Sequence, residues 1–171
     1  MPDIVSNTGP LIALASIGQF DLLQSLFGRI LIPPAVRAEV QDETSVAAMT
    51  TANWIVVQAA QDMLAVQLLR DELDAGESEA IILARELDAD LVLIDERAAT
   101  RKARGVGLQT MGTLGVLLMA KDKGLVAVLK PLLDNLRNAG FRMSDDLYDK
   151  VLGSAGETGG SAHRQGMTSV G

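Results

Sequence analysis

The sequence contains no cysteine and only one histidine, so several kinds of functional site are excluded at once. Without cysteine the chain has no disulfide, no Cys-ligated zinc or iron–sulfur centre and no thiol nucleophile. The single histidine, His163, lies in a Gly/Ser-rich segment, which argues against a Ser-His-Asp triad or a His-based metal site. A metal site in this chain must therefore use oxygen donors, which favour a hard cation.

Aromatic residues and positive charge are also scarce: the 171-residue chain is 3% aromatic and carries a formal net charge of −7. Few aromatics argue against base stacking as the main binding mode, and the acidic balance argues against gripping nucleic acid by phosphate neutralisation alone. An acidic chain can still act on RNA where a cation bridges its carboxylates to the phosphates. No apolar run approaches 18 residues, and the N-terminal residues lack the segments of a signal peptide. We therefore expect a soluble, cytoplasmic protein without a membrane contact.

What the chain does contain is an alternation of short apolar strands and amphipathic helices, which is typical of α/β proteins. The predicted strands are Ile4–Ser6, Arg29–Ile32, Trp54–Val57, Leu91–Ile94 and a short edge strand over Val106–Thr110. We expect one domain over residues 1–152, with a central, mainly parallel sheet covered by helices. The glycine-rich, aperiodic residues 153–171 are predicted to be a flexible tail.

Polar residues recur at the boundaries of these elements: Asn7 after the first strand, Glu39 in a helix, Glu77 at a helix start and Asp95 after the fourth strand. Ligands of parallel sheets bind beyond the carboxyl ends of the strands, and the helix from Glu77 followed by the strand to Asp95 returns the chain to that end. Two carboxylates ~5 Å apart repel by about 3 kcal/mol at an effective dielectric of ~20. Converging carboxylates therefore predict a counter-ion, and Mg²⁺ or Mn²⁺ suits all-oxygen ligation.

Each of these residues also has a purely structural explanation. Glu77 is favourable at a helix N-terminus through the helix dipole alone, and Glu39 can be ordinary surface charge. Asp95 can cap the following helix, and Asn7 is commonly a cap or turn residue. Only their joint placement at one edge of the sheet favours a shared site.

The densest basic segment of this acidic chain follows Asp95 directly and comprises Arg97, Arg101, Lys102 and Arg104. Arg97 and Arg101 share a helix face, and Arg104 lies one turn beyond Arg101. These side chains either hold RNA phosphates or form a solvated face, and the sequence favours neither.

Four further residues are secondary candidates. Thr8 and Thr113 can hydrogen-bond a metal-bound water or cap a helix, and Glu96 can contact a residue that binds the metal. We expect Glu79 to face solvent, because it lies two residues beyond Glu77 on the same helix.

Five segments, taken in order, resemble the DUF3368 branch of PIN-like domain proteins. They are Val5–Ile12 (VSNTGPLI), Ile32–Val36 leading to Glu39, Gly76–Ile81 (GESEAI), Leu93–Arg97 (LIDER) and Gly112–Leu117 (GTLGVL). The resemblance extends from about Ile4 to Leu152. It implies a PIN-like three-layer α/β/α sandwich over residues 1–152 and a cluster of acidic residues that cuts RNA with Mg²⁺ or Mn²⁺. It also implies that relatives are often toxins of toxin–antitoxin pairs, inhibited by a small partner protein, and often homodimers.

Matched motif by motif, the resemblance gives Glu39, Glu77 and Asp95 the acidic catalytic and metal-binding positions. Asn7 occupies the position usually held by the first aspartate. Asparagine offers a carbonyl oxygen but no charge, so metal binding should be weaker than with a full acidic set.

Three functions follow from these observations. The first is a metal-dependent endoribonuclease in which Glu39, Glu77 and Asp95 hold the cation, Asn7 orients a water or a phosphate, and residues 97–104 bind the RNA backbone. The second is a PIN-like module that binds RNA or protein and is catalytically impaired at Asn7. The third, a small-molecule phosphohydrolase, ranks last because no strand ends in an Asp-x-Asp pair.

Overall fold

The computed structural model describes residues 2–157. The chain divides into two compact units, residues 2–113 and residues 114–157. Among residues 2–157, no helix is both long enough and apolar enough to cross a bilayer.

The first unit is built on a five-stranded, entirely parallel sheet, which confirms the predicted α/β class. Its strands are β1 (Ile4–Ser6), β2 (Ile30–Ile32), β3 (Ile55–Val57), β4 (Leu91–Leu93) and β5 (Thr110–Met111). They lie in the order β3-β2-β1-β4-β5. After β1, the chain adds β2 and β3 on one side of that strand and then β4 and β5 on its other side. This reversal leaves a crevice between the carboxyl ends of β1 and β4, where parallel sheets characteristically bind ligands.

Helices connect the strands, as parallel pairing requires. They are α1 (Thr8–Ser16), α2 (Leu22–Phe27), α3 (Pro34–Glu39), α4 (Glu43–Thr51), α5 (Met63–Leu69), α6 (Ala75–Leu87) and α7 (Arg97–Gly105), and α8 (Thr113–Asp122) begins at the last residue of this unit. Helix α6, with 13 residues, is the longest helix within residues 2–157. It packs against β1 and β4, and its start therefore lies near the ends of the two strands that border the crevice.

The core of this unit is aliphatic. Val5, Leu31 and Val92, from three adjoining strands, are almost fully buried together with Ile81 and Leu83 of α6. Burying each such side chain contributes about 1.5–3 kcal/mol. The core thus fixes the strands whose ends carry the polar residues.

Two predicted boundaries are wrong, for local reasons. The edge strand was expected over Val106–Thr110 but begins at Thr110. The preceding residues end α7 instead: the Leu108 N–H donates to the Ala103 carbonyl, and Gly107 takes a left-handed φ of 89°. The helical pattern over Gln61–Leu73 contains only the short helix α5, which begins after the capping residue Asp62.

The second unit contains the rest of α8 together with α9 (Lys130–Asn138) and α10 (Asp145–Ser154). Helices α9 and α10 contact each other through polar groups. The Tyr148 hydroxyl donates to Asp134 over 2.7 Å, and the Arg137 guanidinium lies 4.3 Å from the centre of the Tyr148 ring. A cation–π contact of this kind contributes about 0.5–2 kcal/mol.

The predicted tail begins too early. Helix α10 continues to Ser154, and the Glu157 carboxylate accepts hydrogen bonds from Lys121 Nζ (2.7 Å) and from the N–H groups of Leu129 (2.7 Å) and Lys130 (3.1 Å). The N–H groups at the start of α9 have no partner within their helix, and Glu157 supplies one. The remaining tail residues, 158–171, including His163, lie outside the described residues.

These contacts predict a pH-dependent contribution of Glu157 to stability. Burial acts to raise the pKa of Glu157, but the bonds from Lys121, Leu129 and Lys130 outweigh it and leave the pKa below its ordinary value. The stabilisation is therefore fully present above the unfolded-state pKa and is lost as the pH falls through the lowered one. Glu157→Gln should cost about 1–2 kcal/mol at pH 7, measured by urea unfolding, and progressively less toward pH 3.

Asp149→Asn on α10 is the matched control, because Asp149 is exposed. A Glu157→Gln deficit that stayed constant from pH 7 to pH 3 would show that the charge of Glu157 does not stabilise this unit.

Candidate active site

Asn7 and Asp95 lie at the crevice between β1 and β4, as the sequence predicts. The Asn7 N–H donates to the Leu93 carbonyl over 2.9 Å, which extends the pairing of the two strands by one residue. A Cβ atom on Gly9, in the first turn of α1, would lie 3.4 Å from Asp95 Oδ2. The first turn of α1 and the Asp95 carboxylate are therefore in contact distance of each other.

The Asn7 side chain is buried, and its carbonyl oxygen is unpaired within the described part of the chain. Asn7 is 4% exposed, and its Oδ1 atom has no hydrogen-bond partner among residues 2–157. Asn7 occupies the N-cap position of α1, yet its side chain makes no capping bond. A buried carbonyl oxygen without a donor costs about 1–3 kcal/mol, so this atom is available to a water or a cation. Side-chain capping does not explain the residue.

Glu39, the last residue of α3, connects three helices. Its Oε2 accepts a hydrogen bond from Thr8 Oγ1 over 2.6 Å, and its Oε1 accepts one from the Gly76 N–H over 2.9 Å. A Cβ atom at position 76 would lie 2.5 Å from Glu39 Oε2, so the carboxylate can approach only because residue 76 is glycine. Glu39 is therefore a specifically held carboxylate and not free surface charge.

Glu77 belongs to a capping box. Its Oε1 accepts from the Asp74 N–H (3.1 Å), while Asp74 Oδ1 accepts from the Glu77 N–H (2.8 Å). Burial raises the pKa of Glu77, and repulsion from Asp74 and Glu96 adds to the effect. The geometry favours the structural explanation for this residue. The Asp-x-x-Glu spacing is a readable sequence signature, although Asp74 was not among the predicted site residues.

Asp95 does not cap the helix that follows it. Its Oδ1 accepts from the Thr113 N–H and its Oδ2 from Thr113 Oγ1, both over 2.7 Å. Burial raises the pKa of Asp95 and repulsion from Glu96 adds to this, while the Thr113 bonds act in the opposite direction. A Cβ atom on Gly112 would lie 2.8 Å from Oδ1. Asp95 is thus a positioned, partly desolvated carboxylate.

The secondary candidates take different places. Thr8 and Thr113 both donate their hydroxyls to carboxylates, those of Glu39 and Asp95. Glu96 is exposed at the N-cap of α7 and makes no side-chain capping bond. The expectation that Glu79 faces solvent is wrong: it is half-buried, and its Oε1 accepts from the Ala35 N–H at the start of α3 over 3.3 Å. That N–H has no partner within its own helix.

The three predicted acidic ligands are not gathered into one cluster. Among residues 2–157, no three His, Asp or Glu side chains form a group that could hold a metal ion. Glu77 is turned toward Asp74, whereas Glu39 and Asp95 both lie close to the first turn of α1, the helix that Asn7 precedes. The donor atoms that Asn7, Glu39 and Asp95 offer are all oxygens, which suit a hard cation.

Three of the four predicted basic residues share a pocket with Asp95. The pocket has a volume of about 330 Å³ and is lined by Asp95, Arg97, Thr100, Arg101 and Arg104. Helix α7 contributes four of these lining residues, Arg97, Thr100, Arg101 and Arg104. Their spacing of i, i+3, i+4 and i+7 places them on one face of the helix. Arg104 is held there because its Nε donates to Thr110 Oγ1 over 2.9 Å.

Lys102 does not line this pocket. It lies on another face of α7, and its Nζ forms an ion pair with Glu72 over 2.8 Å. Thr100 and Thr110 were not predicted as site residues. The helical spacing from Arg97 indicates Thr100, but Thr110 lies on β5 and no sequence signal connects it to Arg104.

A five-stranded parallel sheet with these polar groups at its crevice is the architecture of a PIN domain. The chain belongs to the DUF3368 family, whose model, described as a PIN domain, matches residues 3–157. The resemblance seen in the sequence is thereby confirmed. PIN domains are generally nucleases and typically use divalent metal ions.

Among solved structures, the chain is similar to a PilT N-terminus domain protein, SSO1118, from the hyperthermophilic archaeon Sulfolobus solfataricus P2. The two are 16% identical with a TM-score of 0.41, over 68% of this chain and 92% of that one. No curated protein matches the sequence.

The close approach of Gly76 and Glu39 predicts a separation of stability from metal binding. In Gly76→Ala, the added Cβ should displace the Glu39 carboxylate, whose end is flexible enough to move. The alanine gains up to about 1 kcal/mol of helix propensity and the variant loses a hydrogen bond of similar value, so unfolding free energy should change by less than about 1 kcal/mol. If Glu39 is a metal ligand, the affinity for Mn²⁺, measured by metal-dependent melting, should fall about tenfold or more.

Gly153→Ala on α10 is the control, because nothing lies within 4 Å of a Cβ at that position. If both variants bound Mn²⁺ as tightly as the parent, the position of Glu39 would have no part in metal binding.

Proposed function

We propose that this protein is an Mg²⁺- or Mn²⁺-dependent endoribonuclease of the PIN type. The observation that carries the proposal is the pocket that Asp95 lines together with Arg97, Arg101 and Arg104. A phosphodiester hydrolase needs carboxylate oxygens for a cation and guanidinium groups for the substrate phosphates, side by side. Membership of a family of nucleases supports the same reaction class.

Asn7, Glu39 and Asp95 are the residues we assign to the cation. When bound, Mg²⁺ or Mn²⁺ supplies charge neutralisation and an activated water for attack on the phosphodiester. Thr8 and Gly76 orient the Glu39 carboxylate, and Thr113 orients that of Asp95. Fixed carboxylates reduce the reorganisation needed during the reaction.

We assign Glu77 a positioning role and not that of a ligand. Its capping box fixes the first turn of α6, and the Gly76 N–H that holds Glu39 belongs to the same turn. Loss of the Glu77 carboxylate would therefore act on the site through Glu39.

The arginines of the pocket hold the RNA backbone beside the cleaved bond. The side of α7 that carries Arg97, Arg101 and Arg104 borders the same pocket as Asp95. Guanidinium groups bind phosphate oxygens in a bidentate manner, which fixes the orientation of the strand as well as its position.

A second function, a catalytically impaired PIN-like module that binds RNA or protein, is favoured by one specific feature. Asn7 brings no charge to the site, and residues 2–157 contain no group of three acidic side chains that could hold a metal. A metal titration combined with an RNA cleavage assay separates the two functions.

The family resemblance further supports a role as the toxin of a toxin–antitoxin pair, acting as a homodimer and inhibited by a small partner protein. A neighbouring gene for a small DNA-binding protein would support this role.

The first prediction for the proposed function concerns Asn7→Asp. The new carboxylate would be buried at the crevice that Asp95 also borders, so without metal the variant should be less stable than the parent by about 1–3 kcal/mol. With Mg²⁺ or Mn²⁺ the added charge should raise metal affinity about tenfold or more. Thermal melting with and without metal measures both effects, and cleavage of single-stranded RNA should increase.

Asn53→Asp makes the same chemical change at an exposed position and serves as the control. If Asn7→Asp raised metal affinity while RNA remained uncut, the impaired binding module would replace the nuclease as the better conclusion. If neither stability nor metal affinity changed, Asn7 would have no place in the site.

The second prediction concerns the salt dependence of RNA binding. Removing both guanidinium groups in Arg97→Ala/Arg101→Ala should weaken binding to single-stranded RNA. The slope of log K against log salt should fall by about 0.7 for each lost phosphate contact, as measured by fluorescence anisotropy. Arg85→Ala, in the last turn of α6, is the control because Arg85 does not line the pocket. An unchanged slope in the double variant would place the two arginines on a solvated face.

A further inference from the structure

The pocket beside Asp95 carries more positive charge than an internal RNA phosphate requires. Three guanidinium groups and one carboxylate line it, which leaves a formal excess of two positive charges. An internal phosphodiester carries a single negative charge, whereas a terminal phosphomonoester carries about −1.5 to −2 at pH 7. A terminal phosphomonoester therefore matches the excess with a single group, whereas internal phosphodiesters match it only when two of them are bound.

Residues of the described chain do not neutralise these arginines. Across residues 2–157, Arg97, Arg101 and Arg104 take part in no ion pair, whereas Lys102 of the same helix is paired with Glu72. Glu96 precedes Arg97 in the chain but does not line the pocket. The positive charge therefore remains available to a ligand.

The donors also suit a group with several acceptor oxygens. Arg97, Arg101 and Arg104 project from one helix face together with the Thr100 hydroxyl. Thr110 accepts from Arg104 Nε, which holds this guanidinium and leaves its four other N–H donors unused by that bond. A terminal phosphate presents three strong acceptor oxygens, one for each arginine.

We infer that this pocket binds the terminal phosphomonoester of an RNA strand, so that the protein recognises a phosphorylated RNA end next to Asp95. The inference rests on the proposed function for RNA as the substrate. Thr110 is a positioning residue in this arrangement, because it acts through Arg104.

The test compares four short, unstructured RNAs of one sequence that carry a 5′-phosphate, a 3′-phosphate, phosphates at both ends or hydroxyls at both ends. Binding to the full-length protein is measured by competition against a fluorescent RNA in metal-free buffer, where no cleavage occurs. At least one singly phosphorylated RNA should bind about tenfold tighter than the hydroxyl form, and this identifies the end that is recognised. Equal affinities for all four RNAs would overturn the inference.

Variants of the pocket locate the effect. Arg97→Gln and Arg104→Gln should each remove most of the preference for the phosphorylated end. Thr110→Val should reduce that preference, because Arg104 loses the partner that holds its guanidinium. Arg85→Gln should retain the full preference. A preference that survived in Arg97→Gln and Arg104→Gln would place end recognition elsewhere and overturn the assignment to this pocket.

A mononucleotide arm distinguishes an RNA end from a free nucleotide. Uridine 5′-monophosphate should compete far more weakly than the phosphorylated RNA, because it lacks the flanking backbone. Competition as strong as that of the RNA would overturn the inference in favour of a mononucleotide pocket.

The inference and the proposed function fail separately. If all RNAs were cut with Mg²⁺ or Mn²⁺ but bound equally, the nuclease would stand without end recognition. If the phosphorylated end were preferred but no RNA were cut, the pocket would stand and the nuclease assignment would fall.

Discussion

The Glu39 carboxylate is the interaction on which the candidate site depends. It accepts hydrogen bonds from the first residue of α1 and from the second residue of α6, and it is itself the last residue of α3. The start of α1 offers the Thr8 hydroxyl and the start of α6 offers the Gly76 N–H, and the Glu39 carboxylate accepts from both. The glycine at position 76 is required because any Cβ atom there would occupy the place of the carboxylate.

Asp95 has a parallel role on the other side of the crevice. It accepts two bonds from Thr113 at the start of α8, and Gly112 provides the space for its approach. Both carboxylates are thus held by a threonine hydroxyl and a backbone N–H. Asn7, directly before α1, is buried, and its side-chain carbonyl oxygen has no partner within residues 2–157.

The charge of the chain is segregated within this region. The molecule as a whole carries −7, yet one face of α7 presents three arginines toward Asp95. Burial raises the pKa of Asp95, and repulsion from Glu96 adds to it, so negative charge at the crevice is already unfavourable. Under the proposed function, the adjacent guanidinium groups would attract an anionic strand to a site that would otherwise repel it. The local field, and not the net charge, decides whether the acidic protein can bind RNA.

Several features of this protein were determined by the sequence alone. The apolar runs at Ile4–Ser6 and Leu91–Leu93 alternate with amphipathic helices, so a parallel sheet follows from periodicity. Because strand ends in such a sheet share one edge, Asn7 and Asp95 could be placed at the crevice. The ordered motifs also sufficed to indicate the PIN-like family. Tertiary structure alone decided three pairings: Glu39 with Thr8 and Gly76, Asp95 with Thr113, and Lys102 with Glu72, away from the other three basic residues. Hydrogen-bond partners many residues apart in the chain depend on how helix termini meet, and local sequence patterns carry no information about that meeting.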